Sequence, residues 1–251
     1  MKGATTSKEK QGFFSLERRD DIALLKLGKN FLFESMDLSI SSRLFDVIDL
    51  ISENDAIKAL AFINCPEKIA CEEYIDFCRH TIATEFDCRS IQIMCNVFDQ
   101  LIVKIVGLNK VTVHADCDHI IPLFLNLSLA CDYRIVASHT IFQKPYFELG
   151  LLPKGGGPFF LCNLLGQRKA REILMSDEDI NALEALELGI VDQVVPYHKL
   201  EESAIQVAQR LAKLPIQSLV GIKRLINYSM KDLVDYLGFE SQELLKTLGA
   251  P

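Results

Sequence analysis

The sequence lacks several features that would assign it to a membrane or exported class of protein. Among its 251 residues, no apolar run approaches the roughly 18 residues of a membrane span, because the runs at 101–106 and 120–125 are too short. Residues 1–12 are polar and lack the apolar centre of a signal peptide. We therefore expect a disordered tail over 1–12, a cytoplasmic location and no membrane partner.

An excess of positive charge and paired cysteines are also missing. The chain has 27 Lys and Arg against 34 Asp and Glu, a net charge of −7, whereas a nucleic-acid-binding domain is expected to be basic. The eight cysteines show no CxxC spacing, so we interpret them as reduced, buried thiols. The composition argues against a nucleic-acid partner, although a local basic pocket for a phosphorylated ligand stays compatible with it. We predict no metal in this protein, with one segment, discussed below, as the alternative.

Strand-like and helix-like spacings of apolar residues alternate through the first two-thirds of the chain. The strand-like segments are 13–17, 22–27, 59–63, 111–115 and 133–137. The helix-like segments are 37–51 and 85–105, and, after Pro196, 200–214, 216–228 and 233–248. We therefore predict an α/β core over 13–195 and an all-helical region over 196–251.

Three motifs, in a fixed order, resemble one known family. The first runs from Cys131-Asp132 to Pro153, and the second joins Gly155-Gly156-Gly157 to Leu164-Leu165-Gly166. The third runs from Ile180 to Pro196 and contains Gly189, which suits a helix stop because glycine adopts a left-handed conformation easily. Together they resemble the crotonase (enoyl-CoA hydratase/isomerase) superfamily.

That resemblance implies a specific fold and ligand. The fold would be a crotonase-like spiral of ββα units with a C-terminal helical trimerisation region, assembled as a homotrimer or a hexamer. The ligand would be an acyl-CoA thioester, as substrate or bound molecule, with no further cofactor. The thioester oxygen would lie between two backbone N–H groups, and preorganised donors of this kind contribute about 10²–10³ in rate each.

The resemblance places the two oxyanion donors on residues that are unusual for the family. The first donor falls on Glu73, and a family glycine falls on Glu72. The second falls on Leu123, again in place of glycine. The residues expected near the ligand beside the first donor are Ala70, Cys71, Glu72 and Tyr74. A backbone N–H exists at every non-proline residue, so the donors could persist; the alternative is that Glu72 and Glu73 are solvated loop residues.

Both positions of the family's catalytic glutamates carry other residues. They fall on Asn126 and Tyr146. Asn126 cannot exchange a proton, and Tyr146 could act as an acid, since a tyrosine hydroxyl has a pKa of about 10. General acid–base catalysis contributes about 10²–10⁴ per group, so we expect ordinary hydration to be lost. Glu148 is the nearest acidic residue that could substitute, with surface exposure as the alternative.

Two further groups have competing interpretations. Lys154 could reach a CoA phosphate beside Gly155 and Gly156, which border the acyl pocket in the family, although an exposed, solvated lysine is the simpler expectation. The segment from His114 to His119 is the densest polar cluster, and alternation would put His114, Asp116 and Asp118 on one face. A metal site or a Cys/His pair competes there with an ordinary strand end.

Two functions remain open from the sequence. The chain is either an acyl-thioester enzyme that uses a non-hydratase route through Tyr146, Asn126 and Glu148, or a catalytically inactive homologue that acts as a structural subunit or an acyl-thioester sensor.

Overall fold

A seven-stranded sheet with parallel central strands forms the centre of the fold. The computed structural model describes residues 8–11, 13–34, 36–64, 71–83 and 88–248. Its strands are β1 (Lys8–Gln11), β2 (Phe14–Arg19), β3 (Ile22–Leu27), β4 (Ala59–Asn64), β5 (Val111–Asp116), β6 (His119–Ile120), β7 (Tyr133–Ala137), β8 (Ile141–Phe142), β9 (Ile180–Asn181) and β10 (Gln193–Val195). Its helices are α1 (Phe31–Glu34), α2 (Leu38–Glu53), α3 (Cys71–Ala83), α4 (Cys88–Gly107), α5 (Pro122–Leu129), α6 (Tyr146–Leu149), α7 (Gly157–Leu174), α8 (Ala182–Glu187), α9 (Leu200–Ala212), α10 (Ile216–Asn227) and α11 (Leu233–Thr247).

The strand order of the large sheet is β1-β2-β3-β4-β5-β7-β10. The β1, β2 and β3 strands pair antiparallel, and β3, β4, β5, β7 and β10 pair parallel. A small second sheet has the order β6-β8-β9. Because parallel strands run in one direction, the carboxyl ends of β4 and β5 meet at one edge, where ligand sites of open α/β sheets usually lie.

Side-chain alternation along the central strands separates two apolar cores. In β4, Leu60 and Phe62 face the larger core, whereas Ala59, Ala61 and Ile63 face the smaller one. The larger core includes buried residues of α2, α4, α5 and α11, and the smaller core includes buried residues of α9. The sheet is therefore covered on both faces, as expected for parallel strands.

The α4 helix is long and apolar enough, by length and composition, to cross a membrane over Ser90–Gly107. Half of that stretch is buried inside the protein, and Phe98, Leu101 and Ile102 are fully buried in the larger core. Core helices pass the same test of length and composition, and the packing of α4 is that of a core helix.

Most predicted segments coincide with the elements of the structure. The segment 133–137 is strand β7 to the residue, and the three C-terminal helices begin at the predicted residues 200, 216 and 233. Gly189 has φ +78°, which confirms the left-handed helix stop. The disordered tail over 1–12 is wrong at Lys8–Gln11, which pairs with β2 along Lys8↔Glu17 to Gln11↔Phe14; residues 1–7 and 12 lie outside the described part.

Candidate functional site

The carboxyl ends of β4 and β5 are joined by a buried polar pair. Asn64, the last residue of β4, donates its amide to Asp116 Oδ2 at 2.5 Å, and Asp116 Oδ1 accepts the Cys117 N–H at 2.8 Å. Asn64 and Asp116 are 2% and 0% exposed. Asn64 is not among the residues predicted from the sequence. The signal that could have indicated it is a polar residue at the end of an otherwise apolar strand. This pair fixes the edge of the sheet from which α5 departs.

Leu123 lies in the first turn of α5, at the predicted second oxyanion position. The N–H groups of Phe124 and Leu125 both donate to Ile121 O at 3.1 Å, whereas the Leu123 N–H has no hydrogen-bond partner among the described residues. Leu123 is only 2% exposed. A buried donor without a partner costs about 1–3 kcal/mol, so an acceptor atom of a ligand placed at this N–H would stabilise the complex.

A small cavity beside Leu123 brings several predicted residues together. Its volume is about 20 Å³, and its lining includes Leu123, Tyr74, Tyr146 and Lys154. Such a volume holds one or two water-sized groups. The structure therefore brings these four predicted residues together around a space far smaller than an acyl chain.

Asn126 holds α5 against the turn before α7. Its Nδ2 donates to Lys154 O at 2.7 Å, and the residue is 2% exposed. A Cβ added at Gly157 would lie 2.9 Å from Asn126 Oδ1, so the glycine is needed for the close approach. The side chain is thus engaged in packing two helices together.

Tyr146 is buried at the start of α6 and is bonded to the backbone. Its hydroxyl donates to Leu174 O, at the end of α7, at 2.9 Å. Burial raises the pKa of Tyr146 to about 12. At neutral pH the residue is therefore a neutral donor, which opposes its use as a base.

Glu148 lies outside this group of residues. It is exposed on α6 and forms an ion pair with Arg79 of α3 at 2.6 Å. The surface interpretation of Glu148 agrees with this geometry, and a direct role in proton transfer at Tyr146 does not.

The segment at the first oxyanion position is partly described. Ala70 lies outside the described residues, and Cys71 begins α3. Glu72 and Glu73 are exposed, as predicted for solvated residues, but they lie in the first turn of a helix and not in a loop. The N–H groups of a first helical turn lack partners within the helix, so the Glu73 N–H is not bonded within α3. Burial, with Glu72, Asp179 and Glu148 nearby, raises the pKa of Cys71 to about 11.

Lys154 is buried, so the expectation of an exposed lysine is wrong. It is 6% exposed and its ammonium bonds to Asp99 of α4 and, at 3.2 Å, to Glu240 of α11. Glu240 also accepts the N–H groups of Gly155 at 2.7 Å and Gly156 at 3.2 Å. We call Lys154, Asp99 and Glu240 the buried charge cluster. Its hydrogen bonds hold the turn at Gly155 and Gly156 against α4 and α11. The Lys154 ammonium is therefore not free to bind a phosphate.

The buried charge cluster contains one cation and two carboxyl groups. Burial raises the pKa of Asp99 and of Glu240 more than the Lys154 ammonium lowers it. Burial lowers the pKa of Lys154, but the two carboxylates outweigh it and the net direction is upward. Asp99 Oδ1 is buried and accepts no hydrogen bond from the described residues. Two carboxylates thus compete for one ammonium, and one of them is poorly compensated.

The residues between His114 and His119 do not converge. His114, Asp116 and Cys117 are buried, whereas Asp118, with φ +59°, bonds His139 Nε2 at 2.7 Å at the surface. His119 is exposed on β6. Within the described ranges no group of three His, Cys, Asp or Glu residues is arranged to hold a metal ion. The strand-end interpretation of this segment fits the structure better than a metal or nucleophile site.

A larger cavity lies at the opposite, amino ends of the strands. It has a volume of about 380 Å³, and its lining includes Val111, Tyr133 and the ion pair of Lys223 with Asp132 at 2.8 Å. Its position separates it from Leu123 and Tyr146.

Comparisons with known proteins agree with this architecture. The model of the family described as enoyl-CoA hydratase/isomerase matches residues 88–248. The chain is 25% identical to an enoyl-CoA hydratase of known structure from Geobacillus kaustophilus, with a TM-score of 0.75 over 96% of this chain and 91% of that one. The predicted crotonase-like α/β fold is therefore confirmed.

Two relatives differ in how much of their length the chain matches. It is 26% identical over 207 residues to a trans-2-decenoyl-[acyl-carrier-protein] isomerase of Streptococcus mutans, covering 82% of this chain and 78% of the isomerase. It is 30% identical over 203 residues to the fatty acid oxidation complex subunit alpha of Shewanella amazonensis, covering 78% of this chain but 28% of that subunit. The chain thus corresponds to one part of the longer relative.

Proposed function

The chain belongs to the enoyl-CoA hydratase/isomerase family of the crotonase superfamily, and on that premise we propose that it binds an acyl-CoA or a related acyl thioester without ordinary hydratase activity. The names of its relatives, an acyl-carrier-protein isomerase and a fatty acid oxidation subunit, support a setting in fatty acid metabolism. No cofactor other than the thioester itself is required by this proposal.

The Leu123 N–H, which has no hydrogen-bond partner among the described residues, is the observation that carries the proposal. It lies at the second oxyanion position and beside a cavity. A thioester oxygen placed there would give the buried donor a partner and remove the cost of leaving it unpaired. The first-turn position of Glu73 supports a second donor.

The bonding of Asn126 and Tyr146 argues against hydration. Asn126 donates a hydrogen bond to the main-chain carbonyl of Lys154, and Tyr146 donates one to the main-chain carbonyl of Leu174. Each missing acid–base group costs about 10²–10⁴ in rate, and a tyrosine with a pKa of about 12 is a poor base at neutral pH. Losing both groups should leave hydration of an enoyl thioester very slow.

A catalytically inactive homologue, acting as a structural subunit or an acyl-thioester sensor, is the second candidate. The cavities next to Tyr146 measure only about 20 and 30 Å³, which favours a protein that does not turn over a long acyl chain. For both candidate functions we propose a homotrimer or hexamer, as in the family, and a cytoplasmic location.

Thermal stabilisation by a panel of CoA esters separates these functions. A ligand at a hundredfold excess over its Kd stabilises the folded state by about 2.7 kcal/mol, which a melting curve detects easily. We expect stabilisation by at least one ester and no hydration of crotonyl-CoA. The absence of stabilisation by every ester would rule out the enzyme and the sensor and leave the structural subunit. Turnover that disappears in Tyr146→Phe would restore an enzymatic role for Tyr146.

A further inference from the structure

Tyr146 stands between two cavities. The first, of about 20 Å³, includes Leu123 in its lining, and the second, of about 30 Å³, includes Asn126. Pro122 and Tyr146 line both. Tyr146 is 6% exposed, and its hydroxyl is anchored to Leu174 O at 2.9 Å. Of the two shared residues Tyr146 has the larger side chain, so its ring is the group best placed to form a partition between the two cavities.

The second cavity has the walls of a binding site for an apolar chain. Its buried apolar lining residues are Phe142, Leu161, Ile173, Ile180 and Ile190. One polar atom near it, the buried Gln143 Oε1, accepts no hydrogen bond from the described residues. Apart from this acceptor, Asn126 and Lys144, whose ammonium donates to Ile173 O at 3.1 Å, the environment suits methylene groups.

We propose that Tyr146 is the residue that determines acyl length in this protein, as the end wall of the acyl pocket. This inference rests on the proposed function, which places the thioester oxygen on the Leu123 N–H. The space on the Leu123 side holds one or two water-sized groups, so it fits an acetyl group and excludes longer chains. With the ring removed, a straight acyl chain continues through the position of Tyr146 into the second cavity.

The ring, and not the hydroxyl, carries this role. Replacing Tyr146 by phenylalanine removes the bond to Leu174 O but keeps the partition, so the preference for a short chain stays. Replacing it by alanine removes the partition and joins the two cavities. Each methylene then buried contributes about 0.8 kcal/mol, or a roughly fourfold lower Kd.

Isothermal titration with saturated straight-chain CoA thioesters, from acetyl to decanoyl, tests the inference. For the wild type and Tyr146→Phe we expect acetyl-CoA to bind and hexanoyl-CoA to bind at least tenfold more weakly. For Tyr146→Ala we expect the order to reverse, with the Kd falling about fourfold per methylene until the second cavity is filled. Tyr146→Leu replaces the alanine variant if that variant does not fold, because leucine is smaller than tyrosine but leaves less empty space than alanine.

A matched control removes a ring away from both cavities. Tyr236→Ala deletes a half-buried ring of α11 that packs on Phe159, and it should keep the length profile of the wild type. If acetyl-CoA binds and the dependence of Kd on acyl length is the same in the wild type, Tyr146→Ala and Tyr146→Leu, Tyr146 is not the end wall of the pocket. The proposed function would then still stand. Binding of no thioester by any variant would overturn both.

Discussion

At the scale of single residues, the site combines one backbone donor with two side chains that are already bonded. The Leu123 N–H has no hydrogen-bond partner among the described residues, whereas Asn126 and Tyr146 donate to the carbonyls of Lys154 and Leu174. Removing the partner of a buried polar group lowers the free energy of unfolding by about 1–3 kcal/mol. The two residues that are predicted to stand in place of the catalytic carboxylates therefore contribute to stability.

Restoring a carboxylate at Asn126 should destabilise the protein. In Asn126→Asp the ionised side chain cannot donate to Lys154 O, and we expect the free energy of unfolding to fall by about 1–3 kcal/mol at pH 7. Burial raises the folded-state pKa of the new carboxyl above its unfolded value. Stability is then retained at low pH, where the protonated group donates again, and is lost as pH rises through that pKa. Urea denaturation at pH 5 and 7 measures this; an equal loss at both would contradict it.

The buried charge cluster predicts opposite outcomes for two substitutions. Lys154→Met leaves the carboxyl groups of Asp99 and Glu240 without their cation, and breaking a buried pair in this way costs about 3–5 kcal/mol at neutral pH. Asp99→Asn keeps an acceptor for Lys154 and removes the poorly compensated charge. We therefore expect Asp99→Asn to be at least as stable as the wild type at pH 7. Equal losses in the two variants, measured by urea midpoints, would disprove this account of the cluster.

The pH dependence of the cluster has a defined sign. The pKa values of Asp99 and Glu240 are raised in the folded state, mainly by burial, so the folded protein holds these protons more tightly than the unfolded chain. Their stabilising contribution is present below the ordinary carboxyl pKa of about 4 and is lost as pH rises through the raised values. The stability of Asp99→Asn relative to the wild type should therefore increase from pH 4 to pH 7. A constant difference over that range would contradict the raised pKa.

At the scale of elements, the contact between α5 and the start of α7 depends on the absence of a side chain at Gly157. An alanine Cβ there would lie 2.9 Å from Asn126 Oδ1, and overpacking of a buried contact costs about 1–3 kcal/mol. Gly157→Ala should thus destabilise the protein, although alanine ordinarily favours a helix by about 1 kcal/mol over glycine.

Gly166→Ala is the control for this prediction. Gly166 has φ +76° and nothing within 4 Å of an added Cβ, so only backbone strain contributes. The loss caused by Gly157→Ala should be smaller in an Asn126→Ala background than in the wild type, whereas Gly166→Ala should have the same effect in both backgrounds. Melting curves of Asn126→Ala, of the two glycine variants and of their two combinations with Asn126→Ala measure this, and an increase in stability for Gly157→Ala would refute the contact.

The elements were easier to predict from the sequence than the site. Apolar spacing is local, so β7 and the starts of the three C-terminal helices could be placed correctly. The position of Lys154 depends on its ion pair with Asp99, which is 55 residues away in the sequence. The turn that follows Lys154 depends on the hydrogen bond from Gly155 to Glu240, 85 residues away. No local pattern carries such contacts. The same holds for the hydroxyl of Tyr146, whose partner Leu174 lies 28 residues further along the chain.

At the scale of the whole molecule, the C-terminal helices leave apolar side chains on the surface. Leu225, Ile226, Tyr228 and Val234 are 78, 61, 72 and 61% exposed. Contiguous exposed apolar patches mark interaction surfaces, and we propose that a homotrimer or hexamer covers these four residues. Light scattering at micromolar concentration should give the mass of three or six chains.

Charge on that surface should break the assembly. We expect Leu225→Glu combined with Ile226→Glu to reduce the mass toward one chain. The control is Leu38→Glu, on α2, whose leucine is 66% exposed and lies outside this surface, so the mass should not change. A monomeric wild type, or a double variant with undiminished mass, would contradict the assembly surface.

We propose above that this family member binds an acyl thioester at the Leu123 N–H and does not hydrate it. The most direct measurement titrates crotonyl-CoA and acetyl-CoA into the protein by calorimetry and follows hydration of crotonyl-CoA in the same sample. The account predicts saturable binding of acetyl-CoA and no hydration above the uncatalysed reaction. Steady hydration of crotonyl-CoA, or the absence of binding by both esters, would contradict it.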